Sequence, residues 1–305
     1  MTVDLALPVA TDVRAAAERI APFARRTPVL RTEIDGRPLV LKLEHLQLSG
    51  SFKLRGALNV MLAGERPAEV VTASGGNHGA GVATAAALLG IPATVYVPES
   101  VPADKARRID AAGALLVRSG ARYAEAADSA KRHAAETGAR YLEAYDDPYV
   151  VAGQGMAAAE ALHDVPEVDS IVVAAGGGGL AAGTALAADG RLTVTVEPEH
   201  CRCVHDALAA GGPVDSEVDS IAASALGATR MGRIPYLVLS DRPTESVLVS
   251  DADIVAARDR LWEDLRIAVE VAAAAPYAAW LAGLVPGELP CIVLCGANTR
   301  WTPDD

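Results

Sequence analysis

A lysine in the run Ser51-Phe52-Lys53-Leu54-Arg55-Gly56-Ala57 opens a helix-forming stretch, directly after Leu48-Ser49-Gly50. The positive end of a helix disfavours a further positive charge, and burial disfavours it again, so an amine placed there is expected to lose its proton near neutral pH. A neutral lysine amine forms Schiff bases with aldehydes, which is the chemistry of a covalently held aldehyde cofactor. The same lysine on a solvated face would offer none. Two dozen residues later, Ser74-Gly75-Gly76-Asn77-His78-Gly79 supplies a hydroxyl, an amide and glycines whose backbone N–H groups lie open to a carboxylate. A third segment, Gly176-Gly177-Gly178-Gly179, leaves N–H groups unobstructed at the start of the helix-forming stretch Leu180 to Ala188 and reads as a phosphate cradle. That turn has a second reading. Gly177, Gly179 and Ala182 also satisfy a dinucleotide-binding fingerprint, and Glu197 stands 20 residues past Gly177, where a ribose-binding acid belongs.

These segments need elements to carry them. Strand candidates are Leu39 to Leu43, Glu69 to Thr72, Ala93 to Val97, Leu115 to Val117, Ser170 to Ala174, Thr193 to Val196 and Cys291 to Cys295, with alanine-rich helices such as Ala103 to Ala112 between them. Alternation of extended and helical periods is the pattern of parallel α/β sheets. Both glycine turns directly follow a strand, so they are expected to face one crevice outside the strand C-termini. No repeat of solenoid period and no low-complexity linker interrupts the pattern.

The chain has 305 residues, 51% of them hydrophobic, enough for a large core in one or two domains. A net charge of -12 disfavours a nucleic-acid partner, because phosphate backbones attract basic surfaces. No apolar run is long enough to span a bilayer and no charged segment precedes an apolar leader, so the expectation is a cytoplasmic protein without a membrane partner. Cys201, Cys203, Cys291 and Cys295 follow neither a disulfide framework nor paired zinc-ligand spacing and are expected to be free thiols. His45, His133, His163, His200 and His205 follow no ligand spacing either, and no metal is expected.

The segment from Lys42 through Gly50-Ser51-Phe52-Lys53 resembles the cofactor-lysine motif of the pyridoxal-phosphate enzymes that include threonine dehydratases and serine racemases. The asparagine loop, Val151-Ala152-Gly153-Gln154-Gly155, the tetraglycine turn and Val196-Glu197-Pro198-Glu199 resemble the same family in the same order, over about Arg26 to Asn298. A dinucleotide fold gives no role to the lysine run or the asparagine loop, whereas this family uses all three segments, so a nicotinamide-dependent dehydrogenase is left as a remote alternative. The resemblance implies the two-domain fold of the tryptophan-synthase-β kind (fold type II), an α/β architecture of open parallel sheets with helices on both faces. It implies a large domain over 1–66 and 147–305 with a small domain, 67–146, inserted into it.

By the same resemblance pyridoxal 5'-phosphate is the cofactor and Lys53 the catalytic residue that carries it. Phe52 packs beside its ring, Asn77 bonds its phenolic oxygen, and Gly176, Gly177, Gly178, Gly179 and Leu180 hold its phosphate. Cys295 stands where the family has a serine or threonine at the pyridine nitrogen, and Ser74, Gly75, Gly76, Asn77 and His78 form the substrate loop, with His78 bracing it. The implied activity is α,β-elimination from a β-hydroxy amino acid such as serine or threonine, giving a 2-oxo acid and ammonia. A β-replacement synthase or an amino-acid racemase are the alternatives on this fold. Homodimers are usual in the family.

Departures sharpen the expectation. Serine racemases carry a serine at the position of Gly75, and glycine has no proton to give the second face of the substrate, so elimination is favoured over racemisation. Cys203 replaces the acid of the divalent-cation site found in some relatives, which a hard cation would need. Glu270-Val271-Ala272-Ala273 replaces the family's Glu-Pro-Ala-Gly and leaves the far wall of the pocket open. Only seven residues follow Asn298, so the feedback-regulatory domain of long biosynthetic threonine dehydratases is not expected.

Overall fold

A computed structural model describes residues 6–302; residues 1–5 and 303–305, the outer ends of the expected large domain, lie outside the described residues. Ten strands form two sheets: β1 (Val29–Ile34), β2 (Arg37–Lys42), β3 (Val70–Ala73), β4 (Ala93–Val97), β5 (Leu115–Arg118), β6 (Arg140–Tyr141), β7 (Ser170–Ala174), β8 (Leu192–Pro198), β9 (Thr244–Val249) and β10 (Pro290–Val293). The six-stranded sheet has the order β1-β2-β10-β7-β8-β9, and the four-stranded sheet the order β5-β4-β3-β6. Every pairing is parallel except β1 with β2. That pair is a hairpin turned by Asp35 and Gly36, both at positive φ, as a two-residue turn between right-twisted strands requires.

The parallel strands read as unbroken apolar runs because helices cover both faces of their sheet. Ile171, Val172 and Val173 of β7 and Cys291, Ile292 and Val293 of β10 have no solvent exposure. One apolar cluster extends from these strands through helices Lys53–Leu62 and Asn77–Leu89 to Val95 and Val97 of the smaller sheet. A smaller cluster of Val71, Ala73 and Ala130 lies under helix Tyr123–Thr137.

Seven strand candidates from the sequence have counterparts, while β1, β6 and β9 do not. β6 is two residues long and β9, Thr244 to Val249, is only half buried, so neither offers a strong apolar signal. Since β2, β10, β7 and β3 all end near loops 43–52, 294–298, 175–179 and 74–76, the parallel arrangement gathers the chemical segments beyond strand C-termini. Among the described residues no helix is long and apolar enough to cross a membrane.

Candidate active site

Lys53 is the first residue of helix Lys53–Leu62. The loop before it is stitched to the segment after β10: Phe52 N–H donates to the Cys295 carbonyl at 3.0 Å, Ala297 N–H donates to the Gly50 carbonyl at 2.9 Å, and Ser51 bridges Gly296. Those bonds bring Cys295 beside Lys53 across most of the chain. Gly50 is at φ +73, and a Cβ there would lie 2.5 Å from the Asn298 Oδ1, so glycine meets two demands at once. The Lys53 Nζ donates to the Ala144 carbonyl at 2.8 Å and stands 5.2 Å from the Phe52 ring centre. Burial pushes the amine down to about 8 against a smaller opposing pull from Cys295.

Beneath this helix start lies a closed network of buried charge. Arg55 donates to both oxygens of Glu44 and both of Glu160, each at 2.8 Å, while the Lys42 Nζ reaches Glu160 at 2.6 Å and the Thr27 carbonyl at 2.7 Å. Thr27 also donates its hydroxyl to Glu44. Two cations and two carboxylates balance, with bidentate geometry that satisfies the guanidinium. The network ties β2, the lysine helix and helix Met156–Asp164 together, and nothing in the spacing of its members announces it.

The asparagine loop turns sharply from β3 into helix Asn77–Leu89. A Cβ on Gly79 would run into the Ser74 carbonyl, so the turn admits no side chain there. Ser74 Oγ accepts from Gly76 N–H at 3.2 Å. Asn77 is held from both sides: its Nδ2 donates to Glu270 Oε1 at 2.5 Å, and Asn298 Nδ2 donates to its Oδ1 at 2.8 Å. His78 is buried, with Nε2 3.2 Å from the Leu142 carbonyl, which makes that nitrogen the protonated one. Burial first, and Lys53 second, push its imidazole down to about 3, so it stays neutral and braces the loop.

The tetraglycine turn joins β7 to helix Gly179–Ala187, with Gly178 at φ +91. A Cβ on Gly177 would enter the Tyr145 ring, and one on Gly176 would press the Leu226 backbone at 3.1 Å. Packing therefore demands part of this glycine run, independently of any phosphate. Cys295 is buried beside Lys53, its thiol pushed up by burial and by Glu270, and it presents a neutral group.

Glu197 accepts from the Val204 and His205 N–H groups at 2.9 and 2.7 Å, capping helix Cys203–Ala210, and is wholly buried. Burial against that helix start leaves the carboxylate no solvent-facing side, so the ribose-binding role that a dehydrogenase needs is not open to it. Cys203 and Cys201 donate to the Gly176 and Leu226 carbonyls. Among the described residues no group of three His, Cys, Asp or Glu side chains is placed to hold a metal.

A cleft is lined by Gly75, Gly76 and Asn77 together with Glu270 and Asn298. Lys105 and Arg108 also line it. Sequence reasoning left these two cations, Ala144 and Tyr145 unassigned, because only the tertiary structure turns them toward the site.

The donor set fits pyridoxal phosphate. A buried amine with a depressed pKa, a helix start whose Gly178 holds a left-handed turn, an amide fixed on both sides and a neutral thiol are the groups such a cofactor needs. Ser51 Oγ, next to the lysine segment, is buried with no partner among the described residues, a polar atom left for a further group.

Residues 20–296 match the family model described as "Pyridoxal-phosphate dependent enzyme". The chain is 38% identical over 304 residues to an L-threonine ammonia-lyase of Geobacter sulfurreducens, covering 94% of this chain and 75% of that one. It is 34% identical over 306 residues to a serine racemase of Arabidopsis thaliana, covering 94% and 92%. The crystal structure of a T.th. threonine deaminase superposes with a TM-score of 0.92 at 34% identity, covering 97% of this chain and all of that one.

Proposed function

The chain belongs to the pyridoxal-phosphate dependent enzyme family, and from that premise we propose that it deaminates a β-hydroxy amino acid by α,β-elimination to a 2-oxo acid and ammonia. The observation that carries the reading is the Lys53 amine, depressed to about 8 and aimed from a helix start at the Ala144 carbonyl, with the neutral Cys295 thiol beside it. Lys53, Phe52, Asn77, Cys295, Leu180 and the Gly176 to Gly179 turn would hold the cofactor. Bound there, it would supply the electron sink that makes the substrate's α-proton removable.

The chain's own residues do the rest. Lys53, neutral for a sizeable fraction of the time near its pKa, takes the α-proton. Ser74, Gly75, Gly76 and Asn77 bind the substrate carboxylate at the start of helix Asn77–Leu89, and His78 keeps that loop in shape through Leu142. Glu270 and Asn298 orient the Asn77 amide. A neutral Cys295 leaves the sink weaker than a carboxylate partner would, which suits quick elimination over transamination. The relatives named a threonine ammonia-lyase and a threonine deaminase support this reading.

The division into a large domain, 1–66 with 147–305, and a small domain, 67–146, belongs to this reading, supported by the confinement of β3 to β6 to residues 70–141. So do a homodimer, from the family resemblance, and a cytoplasmic setting, from four free cysteines.

The test is product analysis. Serine or threonine is expected to yield 2-oxo acid and ammonia in equal amounts, unchanged by an added thiol. Accumulation of a thiol-substituted amino acid would instead make the protein a β-replacement synthase.

Racemisation is a separate outcome with its own variant. The Gly75 position lacks the second-face hydroxyl, yet a Cβ there would sit 2.7 Å from Val101 Cγ2, a stiff β-branched neighbour. Gly75→Ser alone is therefore strained, and Gly75→Ser with Val101→Ala is expected to raise racemisation relative to elimination by about tenfold or more. Chiral chromatography of recovered serine reads the ratio. Abundant D-serine from the unmutated protein would contradict the one-base assignment.

A further inference from the structure

Helix Ala103–Ala111 presents Lys105 and Arg108 three residues apart, hence on one face, and both line the cleft together with the Gly75-Gly76-Asn77 turn. In a chain with a net charge of -12, two cations facing one cleft run against the average. Neither is consumed by a carboxylate. The Lys105 side chain makes no hydrogen bond or ion pair among the described residues, and Arg108 spends one N–H on the Asn298 carbonyl at 2.7 Å. The anion nearest in the cleft is Glu270, whose Oε1 is already taken by Asn77 Nδ2. Burial pushes the Glu270 carboxyl up, and the amide of Asn77, Arg108 and Lys105 only partly oppose this. The lining thus sets two cations against the single carboxyl of Glu270.

An amino acid brings one carboxylate, and the turn at the start of helix Asn77–Leu89 already offers it open backbone N–H groups. Two cations on helix Ala103–Ala111 are surplus to serine, whose side chain ends in a neutral hydroxyl, and to threonine, which adds a methyl group. They match a second carboxylate, for which a planar guanidinium and an ammonium are the fitting donors. We propose that the preferred substrate is a β-hydroxy amino acid with a second carboxylate on its β-carbon, the distal carboxylate held by Arg108 and Lys105. This rests on the dehydratase reading of the site and narrows its substrate class. The reaction balances: 3-hydroxyaspartate loses its α-proton and β-hydroxyl as water, and the product takes one water back as it releases ammonia, leaving a four-carbon 2-oxo dicarboxylate.

The experiment compares kcat/KM for threo-3-hydroxyaspartate, serine and threonine with the holoenzyme, and repeats it with Arg108→Gln and Lys105→Gln. The dicarboxylate is expected to exceed both others by about a hundredfold, and Arg108→Gln to cut that preference by about thirtyfold or more. Arg108→Lys should restore part of it. A second readout needs no turnover: malate, which has both carboxylates but no amine, should raise the melting midpoint of the unmutated protein more than lactate does, and lose that advantage in Arg108→Gln.

If serine or threonine is deaminated and the dicarboxylate is not preferred, the inference fails while the dehydratase reading stands. If Arg108→Gln lowers all three substrates equally, Arg108 serves the α-carboxylate or the Asn298 contact, and the inference fails again. If none of the three is deaminated, the dehydratase reading falls and takes the inference with it.

Discussion

Lys53→Ala is expected to abolish turnover, a loss of about 10⁴-fold or more, while leaving the melting midpoint nearly unchanged. The two halves of that expectation have different sources. Turnover falls because the residue both anchors the cofactor and moves the α-proton, and no other amine stands at that helix start. Stability holds because the Lys53 side chain gives up one hydrogen bond, to the Ala144 carbonyl, and a desolvated amine whose burial is itself unfavourable. Borohydride reduction of the loaded protein followed by peptide mass spectrometry should place the adduct on Lys53. An adduct on Lys42 or Lys105, or full activity in the alanine variant, would sink the assignment. Lys42 is already committed to Glu160 and the Thr27 carbonyl, which argues against it in advance.

The second large effect concerns stability. Arg55→Met should destabilise the fold by about 3–5 kcal/mol, because it leaves Glu44 and Glu160 as buried carboxylates with Lys42 as the one cation remaining in the network. Burial alone would raise the Glu44 carboxyl, but Arg55 and Lys42 reverse it and hold it below its ordinary 4.5. A depressed folded-state value means that the stability Glu44 contributes is present above 4.5 and is lost as pH falls through that lower value. In Arg55→Met the sign inverts: Glu44 rises above its unfolded value, and the deficit should deepen as pH climbs from about 4 toward neutrality. Denaturant midpoints across that range measure both effects. Adding Glu44→Gln to Arg55→Met should recover part of the loss, since a neutral amide removes one stranded charge. A deficit below about 1 kcal/mol for Arg55→Met would show the network to be replaceable packing.

The site's chemistry was legible where residue type and backbone geometry coincide in a short stretch. A lysine at a helix start, an asparagine behind two glycines and four glycines after a buried strand each carry their reason locally, since turns and helix termini are set by neighbouring residues. The strands of the parallel core were legible for a related reason: burial on both faces leaves an unbroken apolar run. Hairpin strand β1 escaped although Asp35-Gly36 marks its turn, because its burial is only partial and shows no clean alternation.

What the sequence by itself determined, then, was the set of chemical groups and the strand-turn-helix units that bear them. The tertiary structure alone decided which groups meet. Cys295 reaches Lys53 through β10 lying beside β2, Asn77 meets Glu270 and Asn298 from the far end of the chain, and Arg55 finds Glu160 on helix Met156–Asp164. It also decided that Glu197 caps a helix and that Lys105 and Arg108 face the cleft. Local geometry depends on neighbours along the chain, whereas these encounters depend on strand order and helix packing, which bring together residues that no spacing in the sequence relates.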